Sequence, residues 1–126
     1  NSIPEATKAD EKAGKVRPVM AVVHAGWCHA CAELKMQVSK NQNIEYMSKD
    51  FIMVNCPAGS EHEPKKDKWG TKFEPDGAYY PRIIFLTHKG NRLPVINPDK
   101  DEEDQHQYFY NHPDQVEQAM TNALAA

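Results

Sequence analysis

Val19-Met20-Ala21-Val22-Val23-His24-Ala25-Gly26-Trp27-Cys28-His29-Ala30-Cys31 is the stretch on which the reading of the chain turns. Its first five residues are apolar without alternation, as a strand covered on both faces requires. Gly26-Trp27 breaks that run, and Cys31, Leu34 and Val38, spaced by three and four, predict a helix that begins at Cys28. Two cysteines one helical turn apart therefore stand at a strand-to-helix junction. The free N–H groups of a first helical turn and the helix dipole favour negative charge, so a thiolate is favoured at Cys28. Cys31 follows on the same face, within reach to close a disulfide. This makes Cys28 the attacking sulfur and Cys31, expected to be the more buried, the resolving one.

Outward from this junction, Phe51-Ile52-Met53-Val54-Asn55 reads as a second buried strand stopped by Pro57 and Gly59, and Arg82 to Leu86 reads as a third strong strand. The polar residues 1–14, with Ala6, Ala9 and Ala13, read as a short helix closed by Gly14. Ile44, Tyr46 and Met47 predict a second helical piece after the cysteine helix. His88-Lys89-Gly90-Asn91 has turn chemistry, and Arg92 to Ile96 returns as a strand. Pro94 has no N–H for a ladder, which confines that strand to a sheet edge or makes it irregular. Residues 57–78 and 97–106 are polar loops, the first with charges of both signs. Pro113 opens a closing helix with Val116, Ala119, Met120, Ala123 and Leu124 on one stripe. Helix, strand, helix, strand, a hairpin of strands and a closing helix predict an α/β fold with mixed strand directions.

A length of 126 residues suits one domain over the whole span 1–126. With 40% hydrophobic and 26% charged residues, the composition is that of a globular chain able to build a core. A net charge of −3 argues against a general nucleic-acid binder, which draws on clustered Lys and Arg. No run of about 18 apolar residues is present, so no membrane-spanning helix is expected. Asn1-Ser2-Ile3-Pro4 is polar, without a charged-then-apolar leader, and reads as a chain whose signal peptide was removed or never existed. Ala123-Leu124-Ala125-Ala126 carries no retention tetrapeptide.

Three cysteines, two of them adjacent in the motif, do not make a disulfide framework. A zinc site needs four ligands, and Cys56, His24 and His29 lack metal spacing, so neither metal nor other cofactor is expected. Cys56 reads as a packed free thiol, and His24 as a core histidine. Asp99, Asp101 and Glu103 lack the glycine and closing glutamate of a calcium loop. Trp69, Phe73, Tyr79 and Tyr80 either line a peptide groove or pin the long loop to the core.

Trp27-Cys28-His29-Ala30-Cys31 resembles the active-site sequence of the thioredoxin superfamily, and Tyr80-Pro81 resembles its cis-proline. With Pro18-Val19-Met20, Phe73-Glu74-Pro75-Asp76-Gly77, Pro81-Arg82-Ile83 and Tyr108-Phe109-Tyr110, nearly the whole chain is similar to the small endoplasmic-reticulum thioredoxin-domain proteins of the anterior gradient family. The resemblance implies a thioredoxin fold, a central mixed sheet flanked by helices, with the Tyr80-Pro81 loop facing the cysteines and binding an extended substrate. It implies a protein-disulfide oxidoreductase, oxidase or reductase with weak isomerase activity, acting on protein or peptide thiols and disulfides. Glutathione is the implied small-thiol partner, the endoplasmic-reticulum lumen or secretion the implied location, and a monomer the implied state. Trp27 reads either as a shield for the disulfide and part of the docking surface or as packing alone, Ala30 as a tuning residue, and His29 either as a tuning residue or as a solvent-exposed side chain of small effect. A non-enzymatic chaperone or client-binding adaptor on the same scaffold is the rival reading.

This chain departs from the superfamily pattern at three places. Val22 stands where a buried carboxylate is usual, leaving His24 or water to move the proton of Cys31. Met36 replaces a helix-kinking proline, so the helix is expected to run straighter. His29 follows the first cysteine instead of preceding the second. A histidine that donates to the Cys28 sulfur, or sits charged near it, favours the thiolate and makes the disulfide the better oxidant. His29→Gly is therefore expected to make the couple more reducing when equilibrated against glutathione. An unchanged potential removes the tuning role.

Overall fold

The three apolar runs pair as one mixed sheet. The computed structural model describes residues 3–26, 28–58, 75–76, 79–101 and 103–126. Strands β1 (Val19–Ala25), β2 (Ile52–Ala58) and β3 (Arg82–Leu86) lie in the order β2-β1-β3. β1 runs parallel to β2, from Val19 opposite Ile52 to Ala25 opposite Ala58. It runs antiparallel to β3, from Val19 opposite Leu86 to Val23 opposite Arg82. Among the described residues the helices are α1 (Ile3–Lys12), α2 (His29–Ser39), α3 (Gln42–Met47) and α4 (Pro113–Ala125), with a 3-10 turn at Ser48–Asp50. A parallel pair needs a crossover, and α2 with α3 supplies it between β1 and β2. This is the α/β architecture expected from the element order.

Strand alternation divides the core in two. Met20, Ile83 and Phe85 face Leu34 of α2, Ile44 of α3 and Val116, Ala119 and Met120 of α4. Val19, Ala21, Val23, Ile84 and Leu86 pack on the opposite face with Ile52, Cys56 and Tyr108. All five β3 residues are buried, because β3 is covered on both faces. Local caps place the helices. Asn41 Oδ1 accepts the N–H of Ile44 at 2.9 Å to start α3, and Gln115 Oε1 accepts the N–H of His112 at 3.2 Å to start α4. Glu117 of α4 accepts from Asn41 and Asn43, at 2.8 and 3.1 Å, and ties the two helices together.

Three expectations change. β2 does not stop at Pro57 but continues to Ala58, and it is not a fully buried strand, since Asn55 is exposed and Met53 is 48% exposed. It is the outer strand of the β2-β1-β3 sheet, the setting in which a proline is tolerated. The segment Arg92 to Ile96 forms no strand. It meets the sheet at one bridge, Leu86 with Arg92, and through the Leu93 N–H to the Phe85 carbonyl at 2.8 Å, before Pro94 removes the next donor. Leu124 is 42% exposed, at the rim of the α4 stripe and not within it.

Charge joins α1 to the sheet. The buried Asp10 carboxylate accepts the Arg17 backbone N–H at 2.9 Å and Arg17 Nε at 2.7 Å. Arg17 Nη2 lies 2.6 Å and His88 Nδ1 3.6 Å from it, and His88 Nε2 lies 3.1 Å from Glu11. Burial works to raise the Asp10 carboxyl, but the Arg17 hydrogen bonds and the charges of Arg17 and His88 outweigh it and hold it below the usual value. A folded-state carboxyl that is the stronger acid adds stability above its unfolded value, about 3.9, and loses it as pH falls through the folded one. Asp10→Asn is expected to melt several degrees lower at pH 7, with the two melting curves converging as pH drops below about 4. Curves that stay parallel in thermal melts across pH 2 to 7 contradict this.

Candidate redox site

β1 ends at Ala25, and the chain turns at once, the Cys28 N–H donating to the Ala25 carbonyl at 3.1 Å. Cys28 keeps an extended backbone, φ −88 and ψ 108, and is the N-cap of α2. Its Sγ accepts the Cys31 N–H at 3.1 Å. A helix start leaves its first N–H groups without internal partners, and an oxygen of Ser, Thr, Asp or Asn is the usual acceptor. Here a sulfur takes that place. A charged acceptor makes the stronger bond, so the cap favours the thiolate form of Cys28. α2 then runs without a break to Ser39.

Both thiols are free and nearly equal in exposure, 8% at Cys28 and 7% at Cys31, so unequal burial does not separate their roles. Their surroundings do. Burial, together with the hydrogen bond shared with Cys28, pushes the Cys31 thiol up to about 11. One sulfur is set to accept a hydrogen bond, and the other is held protonated.

The Tyr80-Pro81 bond is cis, as the resemblance implies. Pro81 is buried, and the half-buried Tyr80 packs against Ala25, Cys28 and Cys31. Tyr79, one of the aromatics expected to pin the long loop or line a groove, pins it here, with Arg82 and Asp76 as partners that no sequence expectation assigned to it. The buried Arg82 donates through Nη1 to the Tyr79 carbonyl at 2.6 Å, and its guanidinium lies 5.1 Å from the Tyr80 ring centre. Tyr79 donates its hydroxyl to Asp76 and accepts the Tyr108 N–H at 3.1 Å, while Asp76 also accepts the Gln107 N–H at 2.8 Å. Burial first, then Asp76, pushes the Tyr79 hydroxyl upward. The available signal was Arg82 itself, a cation heading an otherwise apolar run.

The remaining candidates are dispersed. The His29 side chain is 91% exposed, with Nε2 3.8 Å from Glu33 Oε1, and Ala30 is exposed beside it. Trp27, Trp69 and Phe73 lie outside the described residues. Cys56 is buried on the opposite sheet face, where burial pushes its thiol up to about 11 against the pull of Arg82. Beneath the cysteine pair, between α2 and the sheet, lies a cavity of about 540 Å³ walled mainly by aliphatic side chains such as Met20, Val22, Val38 and Ile83. His24 and Pro81 also line it. Among the described residues no cluster of three or more His, Cys, Asp or Glu could hold a metal.

The Thioredoxin-like family profile matches residues 2–87. The chain belongs to that family. It is 39% identical over 71 residues to anterior gradient protein 3 of Mus musculus, a match covering 56% of this chain and 38% of the mouse protein. The aligned part thus spans well under half of that curated relative. Among solved structures, a DsbH oxidoreductase superposes with a TM-score of 0.65 at 14% identity, over 99% of this chain and 83% of the other. The C-terminal domain of Neisseria meningitidis DsbD in the reduced form gives 0.55 at 15% identity, over 95% and 93%. A disulphide isomerase from Xylella fastidiosa Temecula1 gives 0.54 at 21% identity, over 72% and 67%. At such identities the likeness is one of fold. This thioredoxin-like protein carries a Cys-x-x-Cys pair suited in general to thiol–disulfide chemistry.

A thiol titrating near 11 is ionised to about one part in ten thousand at pH 7, and the thiolate is the form that alkylates. A short iodoacetamide pulse on the reduced native protein at pH 7 is expected to label Cys28 well ahead of Cys31 and Cys56, read by peptide mass spectrometry. Equal labelling of Cys28 and Cys31 contradicts the assignment.

Proposed function

We propose that this chain is a thiol–disulfide oxidoreductase acting on protein disulfides and thiols, with Cys28 as nucleophile and Cys31 as resolving cysteine. The observation that carries this reading is the Cys31 N–H donated to Cys28 Sγ at the start of α2, with the Tyr80-Pro81 loop packed beside the pair. In the reducing direction the Cys28 thiolate attacks one sulfur of a substrate disulfide and expels the other as a thiolate. Cys31 then loses its proton and attacks Cys28 Sγ, forming the Cys28–Cys31 bridge and releasing the second substrate sulfur. Two glutathione thiols return the bridge to the dithiol as glutathione disulfide forms. In the oxidising direction a substrate thiolate attacks Cys28 and consumes the bridge.

The resemblance of Trp27-Cys28-His29-Ala30-Cys31 and Tyr80-Pro81 to small endoplasmic-reticulum thioredoxin-domain proteins is the ground for assigning this chemistry to that lumen, on extended segments of secretory proteins. The backbone beside Pro81 receives such a segment, and the protein works as a monomer. A client-binding adaptor needs a docking surface but no second cysteine, so the presence of both thiols favours exchange.

Insulin reduction with glutathione as the electron source tests the reading. The Cys28→Ser/Cys31→Ser double variant is expected to fall to the uncatalysed rate, and full activity in that variant overturns the redox mechanism. Catalysis sustained by dithiothreitol but not by glutathione keeps the exchange chemistry and removes only the glutathione coupling.

A further inference from the structure

The geometry points to His24 as the proton acceptor that releases Cys31 for its attack on the mixed disulfide, acting across the cavity beneath α2. The inference rests on the redox reading above and adds a residue to it. In β1, alternation turns Val19, Ala21 and Val23 toward one core and Met20 toward the other, and His24 shares the side of Met20 and Val22. The half-buried His24 and the buried Cys31 both line the 540 Å³ cavity. Among the described residues, His24 has no hydrogen-bond partner, so its ring nitrogens are uncommitted.

The wall supplies few alternatives. Its titratable groups among the described residues are His24 on β1 and Cys28, Cys31 and Lys35 on α2. β2 contributes Met53 and Asn55, β3 Ile83, α3 Ile44 and α4 Val116, none of which titrates. An ammonium has no lone pair to offer, which sets Lys35 aside. Val22 places an aliphatic group in the wall, and His29 and Glu33 are exposed on the outer side of α2. A neutral imidazole is therefore the group here that can take a proton near neutral pH. The thiol it serves does not ionise readily without help. The cavity is far larger than the roughly 10–15 Å³ that one water needs, and Asn55 and Ser39 add polar groups to its wall, so a water can carry the proton between ring and sulfur.

The step balances. In the mixed disulfide of Cys28 with a substrate sulfur, the Cys31 proton passes to the His24 ring, which becomes imidazolium. Cys31 Sγ attacks Cys28 Sγ, the Cys28–substrate bond breaks, and the substrate leaves as a thiolate. The imidazolium then gives its proton to that thiolate or to solvent.

The test uses a Cys56→Ala protein, reduced and mixed with one equivalent of 5,5′-dithiobis(2-nitrobenzoate) in a stopped-flow instrument between pH 5 and 9. A first release of thionitrobenzoate marks the mixed disulfide at Cys28, and a second marks its displacement by Cys31. The second phase is expected to show an inflection within the window, about pH 5 to 8, in which histidines change charge. His24→Gln is expected to lose that inflection and slow the second phase at least about tenfold at pH 7, with the first phase unchanged. His29→Ala is expected to keep the inflection. The same second-phase profile with and without His24 overturns the inference. Should His24→Gln fail to fold, the parent protein decides alone, because a second phase without an inflection in that range also overturns it. A parent protein that never releases a second equivalent sinks the cysteine pairing itself, a separate failure.

Discussion

The hydrogen bond from the Cys31 N–H to Cys28 Sγ couples the start of a helix to the chemistry of a sulfur atom. A neutral hydrogen bond contributes about 0.5–1.5 kcal/mol net and one to a charged group about 1.5–3 kcal/mol, so this cap tightens as the sulfur ionises. The helix that positions the pair is thereby most firmly begun when the nucleophile is ready. Everything around the site preserves that contact. β1 delivers the chain to Ala25 in parallel register with β2, and the turn to Cys28 leaves no slack between strand and helix.

Opposite the pair, the Tyr80-Pro81 loop is held from outside the site. Arg82 is taken out of water at the head of β3, and it is accommodated by a carbonyl and two tyrosine rings. Asp76, Tyr79 and the backbone at Gln107 and Tyr108 close a polar mesh on the far side of those rings. A buried guanidinium is costly unless well partnered, so this network specifies one loop position instead of merely tolerating it. The Asp10–Arg17–His88 group does comparable work at the other end of the sheet.

Much of this is legible in the amino-acid sequence. The uninterrupted apolar run at Val19 predicted a strand buried on both faces, Arg82 to Leu86 predicted a further strand, and the three-and-four spacing after Cys28 predicted α2 with its cysteines on one turn. Element boundaries were less legible where neighbours decide them. Pro57 ends a strand by local rules but not at the outer edge of a sheet, and Arg92 to Ile96 has strand-like residues but only one bridge to pair with. The long-range polar contacts left no local mark, because Asp10 and His88 meet only after folding. The cavity was invisible for the same reason, being defined by what the surrounding side chains leave unfilled. The near-equal burial of Cys28 and Cys31, with Tyr80 packed against their cluster, is likewise something no spacing rule reports.

Cys56 lies on the face of the sheet turned away from that cavity, among Val19, Ala21, Val23 and Ile52. A third thiol beside a working pair would ordinarily invite scrambling, with a wrong bridge trapping the protein after a few turnovers. Here the strands act as a partition, and reaching Cys56 would require prising the native layers apart. A chain with three sulfurs thus keeps the electron accounting of one with two for as long as it stays folded.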